Sequence, residues 1–192
     1  NLNLDKNTLV VFTSDNGPWL LMQHQGGSAG LLKDGKGTTW EGGQRVPGIF
    51  YMPGTVKPGT ITGLGSTLDL LPTIAALTGA NKPDVLLDGY DLSSVLKEHG
   101  DSPREEFLYY RKMELYAARK GDYKAHYITE TEYAYETGRE DHETPLLYQL
   151  NIDPSEKYNA AKKFPKKIEE INAMVDAHKK TVVMKRMEMD RN

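Results

Sequence analysis

The sequence predicts an α/β fold that passes into a small α+β part, and three observations predict it. Thr8–Thr13 (TLVVFT) is an unbroken apolar run closed by turn residues, the pattern of a strand buried on both faces in a parallel sheet flanked by helices. Beyond about residue 103, short tyrosine-rich strands follow one another, with Gly121-Asp122 placed to turn a tight hairpin, as in an antiparallel sheet. The chain then closes on an amphipathic helix, about 165–187. Phe164, Ile168, Ile171, Val175, His178 and Val182 share one stripe, opposite lysines and glutamates, and that stripe suits covering one face of the sheet.

The elements follow in order. Asp15-Asn-Gly-Pro18 stops the first strand. In open α/β sheets ligands sit beyond the carboxyl ends of such strands. Residues 19–45 are glycine-rich with little periodicity, a long loop of the kind that carries function. Pro47–Met52 (PGIFYM) reads as a second strand, and Pro53-Gly54 and Pro58-Gly59 bracket a turn-rich excursion. Ser66–Leu77 reads as a helix capped by Ser66 or Thr67 and stopped by Gly79, with Pro72 either near its first turn or kinking it. A short helix is expected at Ser93–Glu98, then a composition shift near Asp101-Ser-Pro103. Strands are expected at Glu106–Tyr110, Leu115–Arg119, Tyr123–Ile128 and Leu146–Leu150. Two domains are therefore expected, 1–103 and 104–192.

Composition narrows the function. Net charge is 24 − 27 = −3, so no basic field invites nucleic acid. No apolar run approaches the roughly 20 residues of a membrane helix. There is no cysteine, which excludes disulfides and thiolate metal sites within these residues.

The chemistry concentrates in the first fifty residues. Asp15 and Asn16 have two readings, an Asx turn ending a strand or ligation of a hard cation such as Ca²⁺ or Mg²⁺ by carboxylate and amide oxygens. Closely spaced His or Cys ligands for Zn²⁺ are absent. Lys36 lies in Gly30–Gly37 (GLLKDGKG), nearly a P-loop. Position 37 is glycine rather than the hydroxyl residue that holds Mg²⁺, and Gly42 and Gly43 argue against a following helix. Lys36 is then either a solvated turn lysine or a compact positive charge for a sulfuryl or phosphoryl oxygen. His24, in the loop, is either solvated or a donor to a substrate oxygen. Glu41 and Arg45, four apart, suit an ion pair fixing the turn. Trp19 and Trp40 either line a pocket or fill the core. His126, on a strand, suits a packed structural role.

The quoted residues resemble a known family. Thr8–Pro18, Gly27–Gly30 (GSAG), Gly35–Gly43 (GKGTTWEGG) and Arg45–Pro47 are similar to the C-terminal half of the type I sulfatases, nearest the arylsulfatase and N-acetylgalactosamine-6-sulfatase type. The likeness continues through Ser66–Thr73 (STLDLLPT), Leu87–Leu92 (LDGYDL), Gly121–His126 (GDYKAH), Leu146–Tyr148 and Asp153-Pro154, covering most of 7–160. The resemblance implies the C-terminal part of an alkaline-phosphatase-like α/β domain, followed by a small α+β subdomain of a four-stranded antiparallel sheet plus one helix. It implies that Asp15 and Asn16 ligate Ca²⁺, with Mg²⁺ as an alternative, and that Lys36 contacts the sulfate. It also implies a formylglycine nucleophile made from Cys or Ser in a Cys/Ser-x-Pro-x-Arg motif. No such motif occurs in this chain; Ser102-Pro-Arg104 lacks the spacing. The nucleophile is therefore expected in a missing N-terminal half, a partner this chain requires, and the chain alone is expected to be inactive and to bind Ca²⁺ poorly.

The expected substrate is a sulfate ester, aryl or glycan, with neither nucleic acid nor membrane as partner. Alternatives are a phosphodiesterase or phosphonate hydrolase of the same superfamily, or a non-catalytic fragment or assembly module. Location follows the resemblance: periplasmic or secreted if bacterial, lysosomal if animal.

Overall fold

A computed structural model describes residues 2, 4–134 and 138–183 of the chain. They form two compact units, Asn1–Asp15 with Pro47–Glu105, and Asn16–Val46 with Glu106–Asn192.

In the first unit, β1 (Val10–Thr13) pairs antiparallel with β2 (Gly48–Tyr51), Val10 opposite Tyr51 and Thr13 opposite Gly48. This corrects the expectation of a parallel strand buried on both faces. Val10, Phe12, Ile49 and Tyr51 are each more than half exposed. An apolar run specifies a buried strand only where other segments cover it, and β2 is its ladder partner among the described residues.

Helix α1 is the single turn Glu41–Gln44, in the second unit. Helix α2 (Leu70–Thr78) follows a single 3-10 turn at Thr67–Asp69 and ends at Gly79, whose φ of 72° is the left-handed cap expected of glycine. Its entry is a capping box. The Leu68 N–H donates to Ser66 Oγ at 3.2 Å, and the Ser66 N–H donates to Asp69 Oδ2 at 2.8 Å. Asp69 is also the anchor of the unit. It is buried, accepts from the Tyr90 N–H at 2.8 Å, and is bridged by the Arg104 guanidinium at 2.5 and 3.0 Å. Arg104 donates on to the Asp88 carbonyl at 2.8 Å. One carboxylate thus ties the α2 start to the 88–90 loop and to the end of the unit. Helix α3 (Ser93–Glu98) occupies the residues expected of it.

The second unit is a four-stranded antiparallel meander, β3 (Glu106–Arg111), β4 (Glu114–Lys120), β5 (Tyr123–Thr129) and β6 (Glu140–Gln149), in the order β3-β4-β5-β6. Lys120 faces Tyr123 across the Gly121-Asp122 turn, and Gly121 takes φ 56°. β6 begins six residues before the expected Leu146. Its first part (EDHET) is polar and mostly exposed, with His142 half-buried, and Pro145 follows it buried, so no apolar alternation marks it; it rejoins β5 at Ile128–Asp141 beyond a register shift.

The sheet is covered on both faces. Helix α4 (Pro165–Thr181) packs Ile171, Met174 and Val175 against Ala118, Ala125 and Leu147. The expected stripe is therefore right in phase. Its part at 184–187 lies outside the described residues. The opposite face, which carries Lys124, His126 and Tyr148, receives Trp40 and Glu41 from the glycine-rich segment.

Removing the anchor of the first unit should show how much one buried pair holds. Asp69→Ala strands the Arg104 guanidinium and two backbone donors in a buried site. The expected loss is about 3–5 kcal/mol in urea unfolding; a loss below about 1 kcal/mol would contradict the role assigned to Asp69.

Candidate functional site

Lys36 occupies the corner of a turn. The Thr38 N–H donates to the Gly35 carbonyl at 3.2 Å, and Gly37, third in the turn, takes φ 84°. Asp34 precedes it at φ 62°, with Oδ1 accepting from the Gly35 N–H at 2.9 Å and the Glu132 N–H at 3.2 Å. Burial raises the Asp34 pKa above the ordinary carboxyl value. The flanks of the turn are pinned: the Gly42 N–H donates to the Lys33 carbonyl at 2.7 Å and Gln44 Nε2 to the Thr38 carbonyl at 2.7 Å.

The strand-end segment runs against this turn. The Lys36 N–H donates to the Pro18 carbonyl at 2.8 Å, and the Gly17 N–H to the Gly43 carbonyl at 3.0 Å. A Cβ on Gly17 would lie 1.7 Å from the Gly42 carbonyl oxygen, so no other residue fits. Two backbones meet face to face, and glycine is required on the strand-end side.

Beneath the turn lies a buried ionic cluster. Lys124 Nζ is 2.9 Å from Glu41 Oε1 and 3.3 Å from Glu156 Oε1, and Glu156 Oε2 accepts the Glu41 N–H at 2.6 Å. His126 Nε2 is 2.6 Å from Glu156 Oε1, and its ring lies 4.2 Å from that of Trp40. All four side chains are essentially inaccessible. Lys33 Nζ sits 3.4 Å over the Trp40 ring, and Trp40 Nε1 donates to the Glu130 carbonyl at 3.1 Å. Glu156 is presented at φ 49° from a loop whose amides at 157 and 158 donate to Asp153.

Burial disfavours the Lys124 ammonium, but the surrounding negative charges outweigh it and hold its pKa above the ordinary lysine value. Burial likewise opposes the Glu156 carboxylate, yet Lys124 and His126 keep its pKa below normal. For His126 burial prevails over the Glu156 hydrogen bond and brings the pKa to about 4. The ring is therefore neutral at neutral pH.

The sequence-predicted residues fall as follows. Asp15 is exposed past the end of β1, with Ser14 Oγ donating to its Oδ1 at 3.4 Å. It closes a segment of the first unit, and Asn16 opens the second. Asn16, His24 and Lys36 belong to the second unit. Pro18, two residues past Asn16, is bonded directly to Lys36. His24 is exposed in a 3-10 stretch, Leu20–Gln25, beside Gln23. Among the described residues no three His, Asp or Glu side chains are placed to hold a metal ion. Asp15 and Asn16 suit a hard cation in kind, but two residues fall well short of its roughly six to eight oxygens.

The expected Glu41–Arg45 pair is replaced: Glu41 is buried on Lys124, and Arg45 is exposed. Trp40 fills the core, Trp19 is half exposed, and His126 is packed as expected. Sequence reasoning missed Lys124 and Glu156. The available signal was Lys124 and His126 at i and i+2, both facing one side of a strand otherwise rich in core residues.

Residues 1–80 match the sulfatase family model, and 102–192 match that for the C-terminal region of aryl-sulfatase. The chain is 45% identical over 174 residues to arylsulfatase A of Homo sapiens, covering 83% of this chain and 34% of the relative. It is 34% identical to N-acetylgalactosamine-6-sulfatase of Canis lupus familiaris, covering 95% and 40%. The PsFucS1 sulfatase from Pseudoalteromonas sp. superposes with a TM-score of 0.80 at 31% identity, covering 90% and 37%. The chain belongs to the sulfatase family. It corresponds to a C-terminal portion of these relatives and spans about a third of their length. The second unit's sheet and α4 are those of the family's C-terminal region. Among the described residues no helix is long and apolar enough to cross a membrane.

The His126 ring supplies a pH test. The unfolded imidazole takes a proton near pH 6.5, the folded one only near 4. Between these the unfolded chain binds more protons, so stability falls as pH drops through that window, by up to roughly 1.4 kcal/mol per pH unit. Glu156, held below the ordinary carboxyl range, gives up its contribution at lower pH still. In urea unfolding between pH 7 and 4.5, His126→Gln, which keeps a donor for Glu156 without a titrating ring, should flatten the slope. Equal slopes would contradict the assignment.

Proposed function

We propose that this chain is the C-terminal part of a sulfuric ester hydrolase and contributes the sulfate-contacting cation and two metal ligands to its active site. The observation that carries the proposal is the placement of Lys36. Its ammonium is exposed at a turn corner whose backbone is bonded to Pro18, and whose far flank is locked to the sheet through Glu41 and Glu156. A turn fixed in this way limits the reorganisation its ammonium needs to meet a sulfuryl oxygen, which is the condition for charge stabilisation in the transition state. The arylsulfatase and N-acetylgalactosamine-6-sulfatase names of the relatives support the same ester class.

In this reading Asp15 and Asn16 supply two oxygen ligands to Ca²⁺, or Mg²⁺, with the remaining ligands coming from residues outside this chain. The bound cation would neutralise charge on the sulfate and on the nucleophile. His24, exposed in its loop, donates a hydrogen bond to an ester or sulfate oxygen. The formylglycine nucleophile is assigned to an upstream half, which also covers the exposed faces of β1 and β2. A periplasmic, secreted or lysosomal location fits such an enzyme.

In the complete polypeptide, Lys36→Ala should lower kcat for an aryl sulfate roughly 10²–10³-fold, with the unfolding midpoint little changed because the side chain is exposed. The 192-residue chain alone should show no turnover. A complete protein that prefers a phosphate ester, or a Lys36→Ala variant with full activity, would overturn the proposal.

A further inference from the structure

Trp19 is the largest apolar side chain left open beside the candidate site, at 48% exposure. Single exposed aromatics are ordinary on protein surfaces. This one differs in how it is held and in what lies on it. Its N–H donates to the Gly26 carbonyl at 3.0 Å, and its carbonyl accepts the Met22 N–H at 3.0 Å. A Cβ on Gly26 would lie 1.7 Å from the Trp19 carbonyl oxygen, so the loop closes on itself only with glycine there. Within the loop Gln23 takes φ 50° and ψ −125°, a conformation that costs a non-glycine residue about 1–3 kcal/mol. Glu132 Oε1, from across the unit, accepts the Leu21 N–H at 3.1 Å. Pro18, next to Trp19, accepts the Lys36 N–H at 2.8 Å, so the two backbones share one register. The Lys36 ammonium lies 5.3 Å from the indole centroid.

A half-open indole on a pinned backbone, with an ammonium at this distance, is a two-part receptor. The ammonium takes an anion, and the indole face takes a flat or CH-rich ring by stacking. We infer that Trp19 is a specificity-determining residue that stacks the ring of a ring-bearing sulfate monoester while Lys36 holds its sulfate. This rests on the sulfate-contacting role given to Lys36 and assigns recognition of the ring-bearing alcohol to one side chain. Stacking fixes the ring and thereby the direction of the ester bond, a positioning effect separate from charge stabilisation. Trp40 has no part in this platform, because it is buried against His126 and Tyr148.

The test uses the 192-residue chain labelled with ¹⁵N, at constant ionic strength. Phenyl sulfate, galactose 6-sulfate, ethyl sulfate, phenol and inorganic sulfate are titrated while the two indole N–H resonances are followed. The Trp19 signal should move saturably with a ring sulfate, with affinity roughly 3–10-fold above that for ethyl sulfate. The Trp40 signal should stay fixed. Phenol should bind more weakly than phenyl sulfate, because it lacks the anion. Phenyl sulfate and galactose 6-sulfate separate aryl from sugar, and preference for either supports the inference. Trp19→Leu should abolish the ring preference, bringing phenyl sulfate and ethyl sulfate to equal affinity, and Lys36→Gln should weaken every sulfate. Equal affinity for phenyl and ethyl sulfate, or a Trp19 signal that no ring sulfate moves, overturns the inference. That result leaves the hydrolase reading intact, which is judged separately by turnover in the complete protein.

Discussion

Lys124 is a fully buried ammonium, and much of the second unit is arranged around keeping it charged. Two carboxylates from distant parts of the chain, Glu41 and Glu156, reach it at 2.9 and 3.3 Å. A buried pair of this kind adds little net stability over a well-packed apolar core, because desolvating each ion costs several kcal/mol. What it supplies here is position. Glu41 can reach Lys124 only if the turn that carries Lys36 is folded down onto the sheet, and Glu156 secures the same spot by accepting the Glu41 amide. Lys33, over the Trp40 face, adds a second positive charge and balances the two carboxylates.

The glycines complete the constraint from the other side. The strand-end segment at 16–18 can lie against 42–43 only without side chains at the crossing, which accounts for glycine at 17. Backbone hydrogen bonds from Lys36 to Pro18 and from Gly17 to Gly43 then lock the segments together. The Asp-Asn-Gly-Pro and Gly-Lys-Gly…Glu-Gly-Gly motifs, far apart in composition and spacing, are two halves of one packing arrangement. The buried cluster holds it from below.

Much of the fold was legible in the sequence. Periodicity located α2, α3, α4 and the core of each strand of the meander, and Gly121-Asp122 marked its central hairpin. The polar start of β6 was not legible, because ladder pairing there proceeds without an apolar face. The environment of β1 was misread for the opposite reason: TLVVFT encodes a doubly covered strand, but among the described residues it pairs with β2 and leaves Val10 and Phe12 more than half exposed. At the candidate site, turn chemistry and family likeness nominate Asp15, Asn16, His24 and Lys36, whose roles are proposed on that basis. The partner of Glu41 could not, because a contact 83 residues away in sequence leaves no local pattern. Arg45, four residues on, offered a nearer and wrong solution.

The buried cluster, acting through Glu41, pins the Lys36 turn to the sheet. Native-state hydrogen exchange on the chain and on Glu156→Gln tests it most directly. The amides of Lys36, Glu41 and Gly42 should lose protection together in the variant, while those of the β3–β4 ladder keep theirs. Unchanged protection at Lys36 and Gly42, with loss confined to Glu41, would contradict it.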